Sequence, residues 1–391
     1  MDHISDRRIL SLKIKSLDKS ILLLGPRQTG KTTLIRSLQP DLTINLADEA
    51  VFQRFLANAG ELRELVATGK YKTIFIDEIQ RHAPLLNTVQ ALLDEAKAEG
   101  RPLRFLLTGS SARKLKRGQA NLLPGRVLSY ELGPFCAAEL DYAADTRRGL
   151  ELGFLPEPYL LGDRAVAEKL LSTYAATYLK EEIQAEALVR NLEGFVRFMN
   201  VAAEHSGRFL DFSKISKAAK IPRQNAVRFF EILEDTLIAR RVEPYPDSLK
   251  PEHQVKRPRY FFFDTGVLNG LLGNFTASND RKGMLFEHLV FNQICSSAKA
   301  WDLPVEIWGF RTRTPQLEID FIVKIQGQIW AIEAKASGNV GVEDCKALNL
   351  FHRYCDKPHR RIIVTPEHAP RRIGEVDVMG WQEMLRQKPF A

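Results

Sequence analysis

The chain has 391 residues, a formal charge of +8 and an isoelectric point near 9.2, with 45% hydrophobic and 27% charged residues. That length and balance suit two or three soluble globular domains, and no run approaches the roughly 18 apolar residues a membrane-spanning helix needs. The basic excess leads us to expect an acidic partner, and the four scattered cysteines, without a C-x-x-C pair, argue against a disulfide framework or zinc site.

The N-terminal residues Asp2, His3, Asp6, Arg7 and Arg8 lack the apolar core of a signal peptide, so a cytoplasmic protein with no membrane partner is expected. Residues 21–24 predict a buried strand that runs into Gly25-Pro26-Arg27-Gln28-Thr29-Gly30-Lys31-Thr32-Thr33, with a helix through residues 34–38. This is the G-x-x-x-x-G-K-[ST] pattern in strand–loop–helix context. The glycines let backbone N–H groups close round a phosphate, Lys31 brings a point charge to the β/γ oxygens, Thr32 offers a hydroxyl to Mg²⁺, and the helix adds its positive end.

Residues 42–46 predict a second strand ending at Asp48 and Glu49, and residues 51–66 a helical stretch. Residues 73–76 then predict a buried strand that delivers Asp77 and Glu78 to the sheet's C-terminal edge, where open α/β sheets bind ligands. Asp77 would hold Mg²⁺ through water, and Glu78 would polarise the water attacking a γ-phosphate. A helix with Leu85, Leu86, Val89, Leu92 and Leu93 on one face follows. Residues 103–107 predict a strand ending in Thr108-Gly109-Ser110-Ser111, where Ser110 would touch the γ-phosphate or the attacking water.

Residues 125–132 predict a further strand with Arg126 at its start. Arg126 and Arg113 are alternative candidates for an arginine that reaches a γ-phosphate in its own subunit or across an interface, each weighed against an ordinary surface role. Arg113, Lys114, Lys116 and Arg117 form either a solvated basic face or a contact to DNA phosphates. In their order, residues 25–33, 74–80, 106–111 and 125–132, with Pro134 and Glu139, resemble the AAA+ ATPases predicted in bacteria and archaea. The resemblance implies an α/β P-loop core with a parallel sheet over residues 1–150. It also implies ATP and Mg²⁺ as ligands, and a homo-oligomer, in some members a ring.

Residues 153–158, with Pro156 and Pro158, predict a linker turn. A long helix is expected through Leu170, Tyr174, Tyr178 and Ile183, of which residues 178–183 match a stretch of the same family. Residues 209–212 predict a strand, 213–219 a capped helix, Ile221-Pro222 a turn and 223–233 a third helix, before a strand reaching Val242. Over residues 151–275 this is the order of a helical linker and a winged helix-turn-helix. Arg223, Gln224, Asn225 and Arg228 suit base or phosphate contacts, while Val227, Phe230, Ile232 and Leu233 would face the core. A protein-contact role for such a module stays open. Residues 260–266 predict a buried strand and turn.

In residues 276–391, a helix over 283–291 places Glu287 among apolar neighbours. Strands are expected at 306–310, 318–323 and 329–335, the last two joined by a hairpin at Gln326-Gly327-Gln328. Side chains alternate along a strand, so Glu333 and Lys335 share a face and the hairpin can bring Asp320 beside them. With Glu287 these acids can hold one or two Mg²⁺, and Lys335 can orient or deprotonate a water. The set resembles the PD-(D/E)xK restriction-endonuclease fold, with Glu287, Asp320, Glu333 and Lys335 in its four positions. The resemblance implies either DNA cleavage or a degenerate fold kept for DNA or subunit contact. Residues 342–354 predict a helix, 360–364 a strand, and Arg360, Arg361, Arg371 and Arg372 a basic rim suited to a duplex. The expectation is a Mg²⁺-dependent ATPase acting on DNA as an oligomeric motor or switch, in repair, recombination or defence. The alternatives are an ATP-gated nuclease and a nucleotide switch that binds proteins.

Overall fold

The computed structural model describes residues 7–110, 123–178, 192–314, 316–367 and 369–390. The chain forms two compact units, Met1–Gly133 with Asp235–Leu237, and Pro134–Glu234 with Ile238–Ala391. No helix among the described residues is long and apolar enough to cross a membrane.

In the first unit, β1 (Ser20–Leu24), β2 (Leu42–Asn45), β3 (Thr73–Asp77), β4 (Arg104–Gly109) and β5 (Val127–Glu131) pair in parallel in the order β2-β3-β4-β1-β5. A parallel sheet is covered on both faces, which is why β1, β3 and β4 read as unbroken apolar runs. Their alternate side chains feed two cores. Leu22, Leu24, Ile74, Ile76, Phe105 and Leu107 pack under α3 (Glu49–Ala57), α4 (Glu61–Thr68) and α5 (Leu85–Ala98). Ile21, Leu23, Phe75 and Leu106 pack under α1 (Ile9–Lys15) and α2 (Lys31–Ser37). The single helical stretch expected at 51–66 is two helices. Asp48 caps the first through Ala50 N at 2.9 Å, and the chain leaves helical geometry at Asn58 before restarting beyond Gly60.

The second unit opens with α6 (Thr146–Leu152), α7 (Pro156–Leu160) and α8 (Arg164–Thr173). The expected prolyl turn at 153–158 is therefore half helix, because a proline at the first helical position has no bond to lose. The long helix expected next ends at Thr173 and passes into a wider turn, Tyr174–Tyr178, while residues 179–183 lie outside the described residues. Then come α9 (Leu192–Glu204), α10 (Phe212–Ala219) and α11 (Arg223–Asp235), joined by an aromatic core of Phe195, Phe198, Phe229 and Phe230. No strand forms at 209–212. Leu210 N does bond Pro258 O at 2.9 Å, but Asp211 turns the chain by capping α10 through Ser213 N at 3.0 Å, and Phe212 is already helical.

The remaining elements are β6 (Ala239–Pro244), β7 (Arg259–Phe262), α12 (Thr265–Leu272), α13 (Asn279–Ala300), β8 (Val305–Arg311), β9 (Glu318–Ile325), β10 (Gln328–Ala334), α14 (Lys346–Leu350), β11 (His359–Thr365), β12 (Arg371–Ile373), β13 (Val376–Gly380) and α15 (Trp381–Arg386). All eight strands join one mixed sheet, β12-β13-β11-β10-β9-β8-β6-β7. The β9–β10 hairpin turns on Gln326 and Gly327, both with positive φ, as a two-residue turn between twisted strands requires. Residues 342–354 form three short helical turns rather than one helix. The expected divisions after residues 150 and 275 both fall inside this unit. Its middle segment supplies β6 and β7, and β6 pairs in parallel with β8 at Glu243↔Trp308 and Pro244↔Gly309.

Candidate nucleotide site and acidic cluster

The loop between β1 and α2 is closed on itself. Gly25 has no room for a side chain, since a Cβ would lie 2.2 Å from the Leu132 carbonyl oxygen, and Leu132 is itself tied to Leu24 O at 2.8 Å. Gln28 and Gly30 adopt positive φ, and Thr29 Oγ1 donates to Pro26 O at 2.9 Å. Lys31 is buried across the loop, its Nζ donating to Gly25 O at 2.8 Å and Pro26 O at 2.9 Å. Arg8, buried just before α1, donates from Nη2 to Thr29 O and braces the loop from behind. An arriving phosphate would exchange the two carbonyls at Lys31 for its own oxygens, and Arg27 and Thr33 complete the nine-residue stretch.

Asp77 ends β3 buried, and each of its carboxylate oxygens accepts a hydroxyl. Thr32 Oγ1 donates to Oδ2 at 2.8 Å, and Thr108 Oγ1 donates to Oδ1. This is possible because β4 lies between β1 and β3, so the ends of the loop strand, the acid strand and the threonine strand converge. Thr32 and Asp77 thereby present two neighbouring oxygen donors, the ligand chemistry magnesium takes. When bound, Mg²⁺ would neutralise charge on the β/γ oxygens. Glu78 follows in a left-handed conformation, φ 57°, which turns its carboxylate away from the strand line. Gln80 Nε2 donates to Glu78 Oε2 and, at 2.9 Å, to Ser110 Oγ. Loop, metal-side oxygens, candidate base and Ser110 are thus assembled at one sheet edge.

Arg126 is not there. Val127 pairs with Ser20 at the start of β1, whereas the loop leaves from the end of that strand, so Arg126 sits at the opposite edge. It forms a two-pronged pair with Asp94, at 2.7 and 2.9 Å. It cannot reach the site of its own subunit. The other candidate, Arg113, and its basic neighbours lie outside the described residues.

In the second unit, Glu287, Asp320, Glu333 and Lys335 do come together, around Arg259. Arg259, 2% exposed, pairs through Nη2 with Glu287 and donates from Nη1 to Asp320 O at 3.0 Å. The faces of Phe261, Phe209 and Phe321 enclose its guanidinium at 4.8, 5.3 and 5.6 Å. Lys335 Nζ binds Glu333 Oε1 at 3.0 Å and reaches Asp344 at 3.7 Å, while Asp320 Oδ2 accepts from Ala334 N at 2.8 Å. Burial, with the charge of Asp320, pushes Glu333 up to about 8, and burial raises Asp320 as well. Burial draws Lys335 down, but Glu333, Asp320 and Asp344 outweigh it and hold the ammonium above its usual range. Among the described residues no three His, Cys, Asp or Glu side chains are placed to hold a metal ion. In this arrangement Arg259 and Lys335 are the cations set against Glu287 and Glu333, and Asp320 lies between them.

Arg223, Gln224 and Arg228 are exposed on α11 and Asn225 is half-buried, while Phe229, Phe230, Ile232 and Leu233 are buried beneath them and Val227 is half-buried. The basic rim is compensated by acids. Arg360 pairs with Asp377 at 2.9 Å, Arg361 with Glu375, and Arg372 with Asp377 at 3.8 Å, while Arg371 donates to Val340 O. Three polar residues escaped the sequence reading. Thr108 and Gln80 carried a weak signal, as polar residues beside the expected strand ends, and Arg259 carried none beyond a charge at the head of an aromatic run.

Family profiles match three consecutive segments: the AAA domain over residues 17–141, and two domains of unknown function, DUF8612 over 143–278 and DUF4143 over 282–384. The uncharacterized protein Rv2008c of Mycobacterium tuberculosis is 26% identical over 329 residues, 82% of this chain and 71% of that protein. The replication initiator DnaA, solved with AMPPCP and single-stranded DNA, is 13% identical, covering 59% of this chain and 86% of its own, at a TM-score of 0.28. The Orc1 protein of Aeropyrum pernix, solved with DNA, is 15% identical, covering 71% and 93%, at a TM-score of 0.29. Superpositions at that level say nothing of this chain's ligands. What the residues and the profile agree on is narrower: residues 17–141 carry an AAA domain with a five-stranded parallel P-loop core.

Proposed function

We propose that the chain binds ATP with Mg²⁺ at residues 25–33, hydrolyses it, and acts on DNA as an oligomeric motor or switch. The observation that carries the reading is the joint placement of Lys31 in the loop, Thr32 on Asp77 at 2.8 Å, and Glu78 one residue on. In this reading Lys31 and the loop amides hold the β- and γ-phosphates, and Thr32 and Asp77 hold the metal. Glu78 accepts the proton of the attacking water, whose oxygen bonds phosphorus as ADP leaves, and Ser110 contacts the γ-phosphate side. Arg126 can serve only a neighbouring copy, which is the role an oligomer would give it. Exposed Arg223, Gln224 and Arg228, with Asn225, and the charge of +8 favour DNA as the partner.

The test is the ATP turnover rate with duplex, single-stranded and branched DNA at low salt, with Lys31→Ala as the blank. Mg²⁺-dependent turnover that DNA stimulates and Lys31→Ala abolishes is expected. No turnover removes the ATPase reading, and turnover that no DNA alters, with no DNA bound, removes DNA as partner.

A further inference from the structure

Gln80 lies two residues beyond the catalytic pair, in a single 3₁₀ turn, Ile79–His82, and is almost fully buried. Both hydrogens of its amide are committed, one to the Glu78 carboxylate and one to Ser110 Oγ. Its Oε1 is buried with no donor among the described residues, and it lies against the end of β4, where a Cβ on Gly109 would come within 2.8 Å of it. This asymmetry fixes the amide's orientation. Turned over, the carbonyl oxygen would face the carboxylate, and the bond to Glu78 would become a repulsion.

Glu78 needs such a partner. Its left-handed backbone directs the carboxylate off the strand, and no other side-chain contact of Glu78 is seen among the described residues. A free glutamate would spread over several rotamers, and proton transfer in hydrolysis depends on the base being held within hydrogen-bond reach of the water. The same amide nitrogen touches Ser110, the residue on the γ-phosphate side, so one planar group ties the base to the element that meets the substrate.

We propose that Gln80 is the positioning residue of this ATPase: its amide aims Glu78 at the attacking water and sets that aim against Ser110. This rests on the ATPase reading above. In this assignment Gln80 acts through Glu78 rather than on the nucleotide, so turnover depends on it and nucleotide affinity does not.

The experiment measures steady-state turnover and equilibrium binding of a non-hydrolysable ATP analogue for the wild type, Gln80→Ala, Gln80→Glu and each change in a Glu78→Gln background under single-turnover conditions. Gln80→Ala should lower kcat by about 10- to 100-fold, a share of what a general base contributes, with KM for ATP and analogue affinity within about twofold of wild type. Gln80→Glu is isosteric but sets a carboxylate against Glu78 in place of the amide donor, so the aim is lost without a change of volume. Its kcat should therefore fall as far as that of Gln80→Ala with KM and analogue affinity unchanged, a split that a merely structural role would not produce. In the Glu78→Gln background neither change should slow hydrolysis further. Wild-type kcat in Gln80→Ala or in Gln80→Glu, or an equal further loss without Glu78, overturns the assignment. A wild type with no turnover at all fails the ATPase reading instead.

Discussion

Replacing Arg259 should destabilise the second unit by an amount its surroundings fix. The guanidinium is buried, balances Glu287, donates to the carbonyls of Gly207 and Asp320, and sits among three aromatic faces. Deleting one member of a buried ion pair leaves the other charge uncompensated and costs about 3–5 kcal/mol. Lost cation–π contact adds roughly 0.5–2 kcal/mol. Arg259→Met should therefore lose about 4–6 kcal/mol, a large part of the roughly 5–15 kcal/mol that holds a domain folded. Adding Glu287→Met removes the stranded carboxylate, and the double variant should recover about half of the loss. The rest persists because two carbonyls lack their donor. All four tryptophans, Trp301, Trp308, Trp330 and Trp381, belong to the second unit, so their fluorescence in a urea titration follows that unit alone. A single-variant loss below about 1 kcal/mol, or a double variant no better than the single, would refute the view of Arg259 as the cluster's counter-ion.

Three further outcomes follow from particular contacts. Gly25→Ala should weaken ATP-analogue binding by more than about tenfold, one factor of RT ln 10, because the new Cβ collides with the backbone carbonyl of Leu132, a residue whose N–H is tied to Leu24 O; calorimetry checks this. Burial, reinforced by Arg259, pushes His288 down to about 3. Its folded value lies below the unfolded one, so its contribution is complete above about pH 6.5 and falls away toward pH 3. The stability difference between wild type and His288→Asn should then change by about 1.4 kcal/mol per pH unit inside that window and be flat above it. Plasmid incubated with Mg²⁺ or Mn²⁺ should be cut no faster by the wild type than by Asp320→Ala, since the acids are already neutralised from within. Metal-dependent cutting lost in Asp320→Ala would reverse that conclusion.

How much the sequence disclosed depended on whether a site's partners were contiguous. The loop at 25–33 reads directly because its chemistry lies in nine consecutive residues, and Asp77, Glu78 and Ser110 read because buried parallel strands announce where they end. Thr108 and Gln80 were missed because their value depends on β4 lying between β1 and β3, a fact of strand order that no local pattern carries. Arg126 was legible as a strand-leading arginine, but which edge it occupies followed only from the register of Val127 on Ser20. In the second unit the order of Glu287, Asp320, Glu333 and Lys335 correctly implied that they meet. That Arg259 joins them was not legible, because it lies on a strand of the expected winged-helix segment, far away in sequence.

The counter-ions of the acidic cluster limit what the proposed ATP hydrolysis would drive. A cluster that uses an internal guanidinium and ammonium as its counter-ions has low demand for an external cation, and exchanging them would uncover buried carboxylates whose acidity burial has already suppressed. The β6–β7 strands carry Arg259 into the same sheet as Asp320 and Glu333, so the middle segment and the C-terminal third share one core, and shifting one against the other would break this compensation. Under the proposed reading, turnover would then serve to hold or move a partner rather than to cleave bonds at these acids. The exposed side of α11 is where such a partner has polar side chains left to meet, because Arg360, Arg361 and Arg372 are already paired with acids of their own sheet.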